Sequence, residues 1–131
     1  MSSKSIEQLE NDYWKKPSEF PTALVKKCFE YRKIKVSELT IAQIRLLISQ
    51  KIGLAYLIPI ALDKLEQNVL IEGELYEGDV LESVSKIPMK FWNKNSTEFL
   101  RFISLLESNK EEILSKLGEK KFDQISERLK M

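Results

Sequence analysis

Residues 52–62 read IGLAYLIPIAL and form the most apolar run in the chain. Every position is apolar or glycine except Tyr56, whose ring is amphipathic. A helix that is hydrophobic on all sides is either buried or in a membrane. A bilayer core needs roughly 20 apolar residues, so this run of about eleven is too short to cross one. It therefore predicts the central helix of a protein core, with the other helices packed around it.

Two residues inside this segment predict interruptions of the helix. Proline in a helix interior costs about 3 kcal/mol, because it lacks the N–H and clashes with the preceding turn. We therefore expect a kink or a restart at Pro59, followed by two further turns that Asn68 closes. Gly53 is expected either to end the preceding helix or to let two helices pack closely.

Helix caps and apolar spacings of three and four residues recur along the rest of the chain. Ser5, Thr22 and Thr40 are predicted N-caps, and Gly118 is predicted to end a helix. The later predicted N-caps are Asp79 with Glu82 as its capping-box partner, Ser96 or Thr97, and Ser108 with Glu111. The predicted inner face of the helix after Thr22 consists of Leu24, Val25, Cys28, Phe29 and Tyr31.

The predicted fold is all-α. No alternation of apolar and polar residues is long enough to require a strand, and Phe91 and Trp92 are expected to form an aromatic anchor. A chain of 131 residues can bury a core without disulfide or metal staples. We therefore expect a single domain over residues 1–131, an irregular bundle of seven or eight short helices around a central apolar helix.

The composition excludes several classes of protein. An apolar fraction of 43% argues against disorder, and a net charge of +1 gives no global attraction to nucleic acid or membranes. Cys28 is the single cysteine, and the absence of histidine removes the commonest general base and metal ligand. The N-terminus lacks the apolar stretch of a signal peptide, so the expected location is the cytoplasm.

No motif predicts an enzyme. Cys28 lies on an apolar stripe with no histidine to activate it. Gly73 and Gly78 lack the Lys-Ser/Thr of a phosphate-binding loop. Hard cations take oxygen ligands, but the acids of residues 72–79 do not have the spacing of the twelve-residue calcium loop. We therefore predict no catalytic residues, no cofactor and no metal. A carboxylate-metal enzyme is a third hypothesis, and it would require bound metal in the purified protein.

A nucleic-acid-binding helical regulator is the alternative function. Residues 40–65 resemble a helix-turn-helix in outline, but the second helix would present Leu, Ile and Ala instead of the polar residues that read base edges. The best support for this alternative is a basic cluster made of Lys26, Lys27, Arg32, Lys33 and Lys35.

The segment after the apolar run is strongly acidic, with no Lys or Arg between Lys64 and Lys86. One interpretation is a solvated loop with Asp79 as a helix cap. The other is a loop that presents carboxylates and one aromatic ring to a basic protein partner, since complementary charge accelerates association. The candidate contact residues are Glu66, Glu72, Glu74, Tyr76, Glu77, Asp79 and Glu82.

Several segments resemble one group of bacterial contact-dependent growth inhibition (CDI) immunity proteins. The most specific segment is residues 72–79, EGELYEGD, with Leu81 and then Phe91-Trp92. The supporting segments are residues 9–14 (LENDYW), 22–25 (TALV), 45–48 (RLLI) and 57–62 (LIPIAL), with Pro17, Cys28, Arg32, Leu39, Thr40, Gln50, Gly53 and Leu54 between them. The resemblance covers residues 6–95, and Glu77 stands where the family often has proline.

This resemblance implies an all-helical cytoplasmic protein that binds one toxin, the C-terminal domain of a large secreted effector, in a 1:1 complex. It implies inhibition by covering the active site or an essential surface, without direct contact to nucleic acid or membrane. Such toxins are frequently nucleases, RNases among them, which agrees with an acidic binding face. The matching residues Trp14, Gly53, Pro59 and Trp92 are expected to be scaffold.

Overall fold

The computed structural model describes residues 3–131. Met1 and Ser2, which belong to the predicted single domain and to the N-terminus discussed above, lie outside the described residues. The α-helices in this range are α1 (Ile6–Glu10), α2 (Ala23–Tyr31), α3 (Ile41–Ser49), α4 (Leu54–Gln67), α5 (Asp79–Ser85), α6 (Met89–Lys94), α7 (Ser96–Ser108), α8 (Lys110–Leu117) and α9 (Glu119–Leu129). A short 3-10 helix spans Val36–Glu38, and Ser5 and Lys35 form an isolated antiparallel bridge. The all-α prediction is confirmed. The described range contains nine α-helices, seven of them with at least seven residues.

Helix α4 is the centre of the core and packs against α3, α5 and α7. Its inner face is fully buried and consists of Leu57, Ile58, Ala61, Leu62 and Leu65. The prediction of burial on all sides was wrong, because Ala55 and Tyr56 are exposed. The restart at Pro59 was also wrong, since α4 is continuous through it. Proline leaves the carbonyl of Ala55 without its helical partner, and the exposure of Ala55 allows water to replace it.

Gly53 joins α4 to α1. It is the N-cap of α4, with φ at +65°, whereas α3 already ends at Ser49. A Cβ atom on Gly53 would lie 2.7 Å from Cδ1 of Ile6, a buried residue of α1. The second expectation for this glycine, close packing of two helices, is therefore confirmed.

The predicted caps near the N-terminus are confirmed, and the two predicted after α6 are wrong. The side chains of Ser5, Thr22 and Thr40 accept hydrogen bonds from the backbone N–H three residues on. Ser96 is instead the first residue of α7, and Ser108 is its last. Single residues, Asn95 and Asn109, separate α6, α7 and α8, so these helices follow one another without room for the predicted caps.

The first turn of α2 extends beyond the core. Cys28 is buried, but Leu24 and Val25 are 38% and 39% exposed. The predicted inner face of this helix is therefore wrong at its first two positions. The aromatic anchor is confirmed: the ring of buried Trp92 stacks on Phe102 with the ring centroids 5.7 Å apart, which joins α6 to α7.

None of the helices within residues 3–131 has the length and apolar content needed to span a membrane.

We expect Gly53→Ala to lower the free energy of unfolding by about 2–5 kcal/mol. The left-handed backbone costs an alanine about 1–2 kcal/mol, and overpacking against Ile6 adds about 1–3 kcal/mol. The control is the same change in an Ile6→Val background, which removes the clashing Cδ1 atom. Urea denaturation should show a penalty smaller by about 1 kcal/mol in that background. An equal penalty in both would assign the whole cost to the backbone.

Candidate functional site

The acidic loop, residues 69–78, is held by a carboxylate at the start of the next helix. The Oδ1 atom of Asp79 accepts a hydrogen bond from the N–H of Gly73 at 2.6 Å. Its Oδ2 atom accepts from Glu74 at 3.0 Å and from Leu75 at 2.8 Å. Asp79 is only 2% exposed. Burial acts to raise the pKa of Asp79, but these backbone donors outweigh it and hold the pKa below its ordinary value.

The predicted capping box at this helix is wrong. Gly78, with φ at +90°, is the N-cap of α5, and Asp79 is the first helical residue. The Asp79 carboxylate binds the preceding loop instead of the first turn of α5, and Glu82 points to other partners. A capping pattern in sequence cannot separate these two cases, because both need an acid at the start of the helix.

Arg45 connects the acidic loop to α3. Its Nε atom lies 3.7 Å from Oδ2 of Asp79, and its side chain is 9% exposed. The loop crosses directly over this side chain at Gly73, where an added Cβ atom would lie 2.9 Å from Cδ of Arg45. The loop is therefore fixed to α5 by hydrogen bonds and to α3 by close packing.

Glu82 is a second internal acid, 7% exposed. It accepts hydrogen bonds from the hydroxyl of Tyr76 and from Nζ of Lys121 on α9. Lys86 and Arg128 lie 3.9 and 4.0 Å from its oxygens. Burial acts to raise the pKa of Glu82, but the bonds from Lys121 and Tyr76 lower it overall. The protein's own basic groups therefore neutralise this carboxylate.

The hydroxyl of Tyr76 donates a hydrogen bond to Glu82, while the residue remains exposed to solvent. Burial and the hydrogen bond to Glu82 raise the pKa of Tyr76 to about 12, so the phenol is neutral and acts as a donor. The residue is nevertheless 43% exposed. Its ring is thus held in one place at the surface of the loop.

Glu66 belongs to a separate ion-pair group. It lies on α4 and accepts from Nε and Nη2 of Arg101 on α7, at 2.8 and 2.6 Å. Asp63 also accepts from the same guanidinium. The hydrogen bond from Arg101 lowers the pKa of Glu66. Glu66 therefore links α4 to α7 and makes no bond to the acidic loop.

The outward side of the loop carries the remaining predicted acids. Glu72, Glu74 and Glu77 are exposed, and none of them forms an ion pair within residues 3–131. Leu75 lies among them and is 63% exposed. Sequence reasoning missed Leu75, although an apolar residue inside an acidic loop was a visible signal. The loop therefore presents carboxylates around an exposed leucine and a fixed tyrosine ring.

The basic cluster that supported nucleic-acid binding is partly internal. Arg32 is 1% exposed, donates to Glu10 and to the carbonyl of Asp12, and stacks 4.0 Å from the ring centroid of Trp14. Lys33 forms an ion pair with Glu7. Two of the five cations therefore serve the fold.

The described residues offer neither an activated cysteine nor a group of metal ligands. Burial raises the pKa of the Cys28 thiol, which disfavours the reactive thiolate. Among residues 3–131, no three His, Cys, Asp or Glu side chains are grouped closely enough to hold a metal ion. The molecule is thus a helical bundle whose most organised surface feature is a fixed loop with an acidic outer side.

A family comparison identifies this class of protein. Residues 8–102 match the family model described as CDI immunity proteins, which covers more than half of the chain. The protein therefore belongs to the CDI immunity protein family, as the resemblance implied. Membership implies neutralisation of a cognate CDI toxin, and immunity proteins of this family are typically non-enzymatic. Comparison with curated proteins and with solved structures finds no match.

We expect Asp79→Asn to destabilise the protein by about 2–4 kcal/mol at pH 7, because three N–H bonds lose a charged acceptor and Arg45 loses its counter-ion. The folded-state pKa of Asp79 is depressed, so its stabilising effect is complete above the unfolded value of about 4 and is lost as pH falls through the folded value.

Urea denaturation from pH 7 to pH 2 should therefore show the gap between wild type and Asp79→Asn closing in acid. The exposed Glu74→Gln is the control, and we expect it to remain within about 0.5 kcal/mol of wild type at neutral pH. A gap that does not change with pH would contradict the role of the charge.

Proposed function

We propose that the protein neutralises its toxin in the cytoplasm by forming a 1:1 complex, that the toxin is a nuclease, and that the outer side of the acidic loop contacts it. The proposal depends on one observation above all. Glu72, Glu74 and Glu77 have no basic partner within the described chain, while the loop that carries them is fixed.

A nuclease is the partner that this charge fits. Nucleic acids are bound through positively charged surfaces that neutralise phosphates. A set of carboxylates can occupy the same surface and thereby exclude the substrate. Complementary charge also steers association towards rates of about 10⁸ M⁻¹s⁻¹ or more at low salt, which favours capture of the toxin before it acts.

The fixed loop supports tight binding. A surface that is already ordered loses less conformational entropy on association. The Asp79 carboxylate supplies this order, and Glu82 holds the Tyr76 ring by its hydroxyl. Exposed Leu75 and Tyr76 are the groups that can be desolvated at the centre of an interface, where most binding energy resides.

The seven residues predicted from sequence divide into three roles in this proposal. Glu72, Glu74, Tyr76 and Glu77 contact the toxin together with Leu75. Asp79 and Glu82 act indirectly, since both are buried and shape the loop. Glu66, on α4, contributes less, because its charge is shared with Arg101. Protection of a cell requires an affinity near 1 nM, about −12 kcal/mol, over an interface of roughly 1,600 Å².

The placement of the interface can be tested by charge reversal. We expect Glu74→Lys with Glu77→Lys to slow toxin association at least about tenfold at low salt and to flatten its salt dependence, because the attraction becomes repulsion. Stopped-flow kinetics over a salt series measures both effects. Asp123→Lys with Glu127→Lys, on exposed positions of α9, makes the same change in net charge outside the loop. Equal slowing by both pairs, or by neither, would reject the placement.

The nuclease assignment needs a separate measurement. The purified cognate toxin domain should degrade RNA or DNA, and one molar equivalent of this protein should abolish the activity. The protein alone should not retard RNA or DNA in a gel-shift assay. A toxin that leaves both nucleic acids intact would reject the assignment while leaving the family function unaffected.

A further inference from the structure

A cleft of about 390 Å³ lies next to the acidic loop, between α3 and α5. Arg45 and Ile48 of α3, Leu75 and Tyr76 of the loop, and Ile87 after α5 form part of its wall. Its volume lies in the range of pockets that bind small groups, about 300–1,000 Å³. One side of this cleft is the same loop that presents Glu72, Glu74 and Glu77 outward.

The guanidinium of Arg45 borders this cleft and makes no hydrogen bond within the described chain. Arginine has five N–H donors, yet the guanidinium of Arg45 makes no hydrogen bond to any residue in the range 3–131. Its Nε is fully buried without a partner, whereas its two terminal nitrogens are not among the buried unpaired atoms and are the groups that a ligand in the cleft can contact. The nearest carboxylate is that of Asp79, 3.7 Å away. Asp79 accepts three hydrogen bonds from loop N–H groups, and its distance from Nε is too long for a hydrogen bond, so it balances the charge of Arg45 without satisfying its donors.

The charges of the cleft favour a singly charged anion. Lys51 and Lys86 contribute to its wall with Arg45, against Asp79 and Glu82. Glu82 also forms an ion pair with Lys121, which is not part of the wall of the cleft. The balance is mildly positive, and the two acids disfavour a doubly charged phosphate. The apolar wall of Ile48 and Ile87 suits an aliphatic stem, so the matching group is a carboxylate on a short methylene chain.

We propose that the cleft receives an Asp or Glu side chain of the toxin, whose carboxylate accepts hydrogen bonds from the guanidinium of Arg45. This inference rests on the proposed function, since it concerns the same complex. The outward acids of the loop then contact the basic surface of the toxin, and the adjacent cleft takes one acidic side chain. Opposite charges at neighbouring points fix the orientation of the two proteins.

Arg45→Lys tests the inference, because it keeps the positive charge opposite Asp79 but removes the planar donor group. We expect toxin binding to weaken at least about tenfold, mainly through faster dissociation. Arg32→Lys is the control, since Arg32 is also buried and also has an unpaired Nε, but its Nη2 donates to Glu10 and to the carbonyl of Asp12 within the chain. It should bind toxin as tightly as wild type.

A double-mutant cycle identifies the partner group. Each acidic residue of the toxin domain is changed to its amide and tested against the wild-type protein and against Arg45→Lys. For one of these residues, the change should weaken binding to the wild-type protein but have little further effect on binding to Arg45→Lys. In the wild-type protein, the Nε–Hε NMR signal of Arg45 should shift on toxin addition while that of Arg32 stays in place. This measurement decides the case even if Arg45→Lys does not fold.

Four results would overturn the inference. They are an unchanged Arg45 signal in the complex, wild-type affinity of Arg45→Lys, equal weakening by Arg32→Lys, and the absence of any coupled toxin carboxylate. Each of these leaves the proposed function standing if the wild-type protein binds the toxin. Failure of the wild-type protein to bind the toxin would instead reject both proposals.

Discussion

The Asp79 carboxylate is the constraint on which the candidate site depends. Burying a charge is unfavourable unless hydrogen bonds and a counter-charge replace its hydration. Asp79 obtains the hydrogen bonds from the backbone at Gly73, Glu74 and Leu75, and the counter-charge from Arg45. These bonds fix a loop that has no regular secondary structure, runs from α4 to α5 and packs against Arg45 of α3.

Acids of the same type have opposite roles within about ten residues of sequence. Asp79 and Glu82 are buried, and their carboxylates bond to groups of the same chain. The other acids of the segment are exposed and form no ion pair within the described chain: Glu72, Glu74 and Glu77. The inner pair gives the outer three a fixed geometry. An inhibitor that acts by binding gains from this arrangement, because the loop does not have to be ordered when the partner arrives.

The support of the loop extends beyond the segment that matches the family. That match ends at residue 102, before α8 and α9. Lys121 of α9 nevertheless bonds to Glu82, and Arg128 of the same helix donates to Ser85 of α5. Helix α9 therefore completes the neutralisation of a carboxylate that belongs to the matched region and thereby helps to hold the Tyr76 ring at the surface.

The sequence by itself determined the helical class, the central position of α4, the three N-caps near the N-terminus and the family, because apolar periodicity, capping residues and ordered motifs are local signals. The tertiary structure alone decided which acids face inward, that α4 continues through Pro59, and that Arg45 borders a cleft with its Nε buried and unpaired. These outcomes depend on partners distant along the chain: Arg45 meets Asp79, and Glu82 meets Lys121. The position of an acid in the sequence does not show whether its carboxylate will contact a cation or water, because its neighbours are determined only when the helices pack.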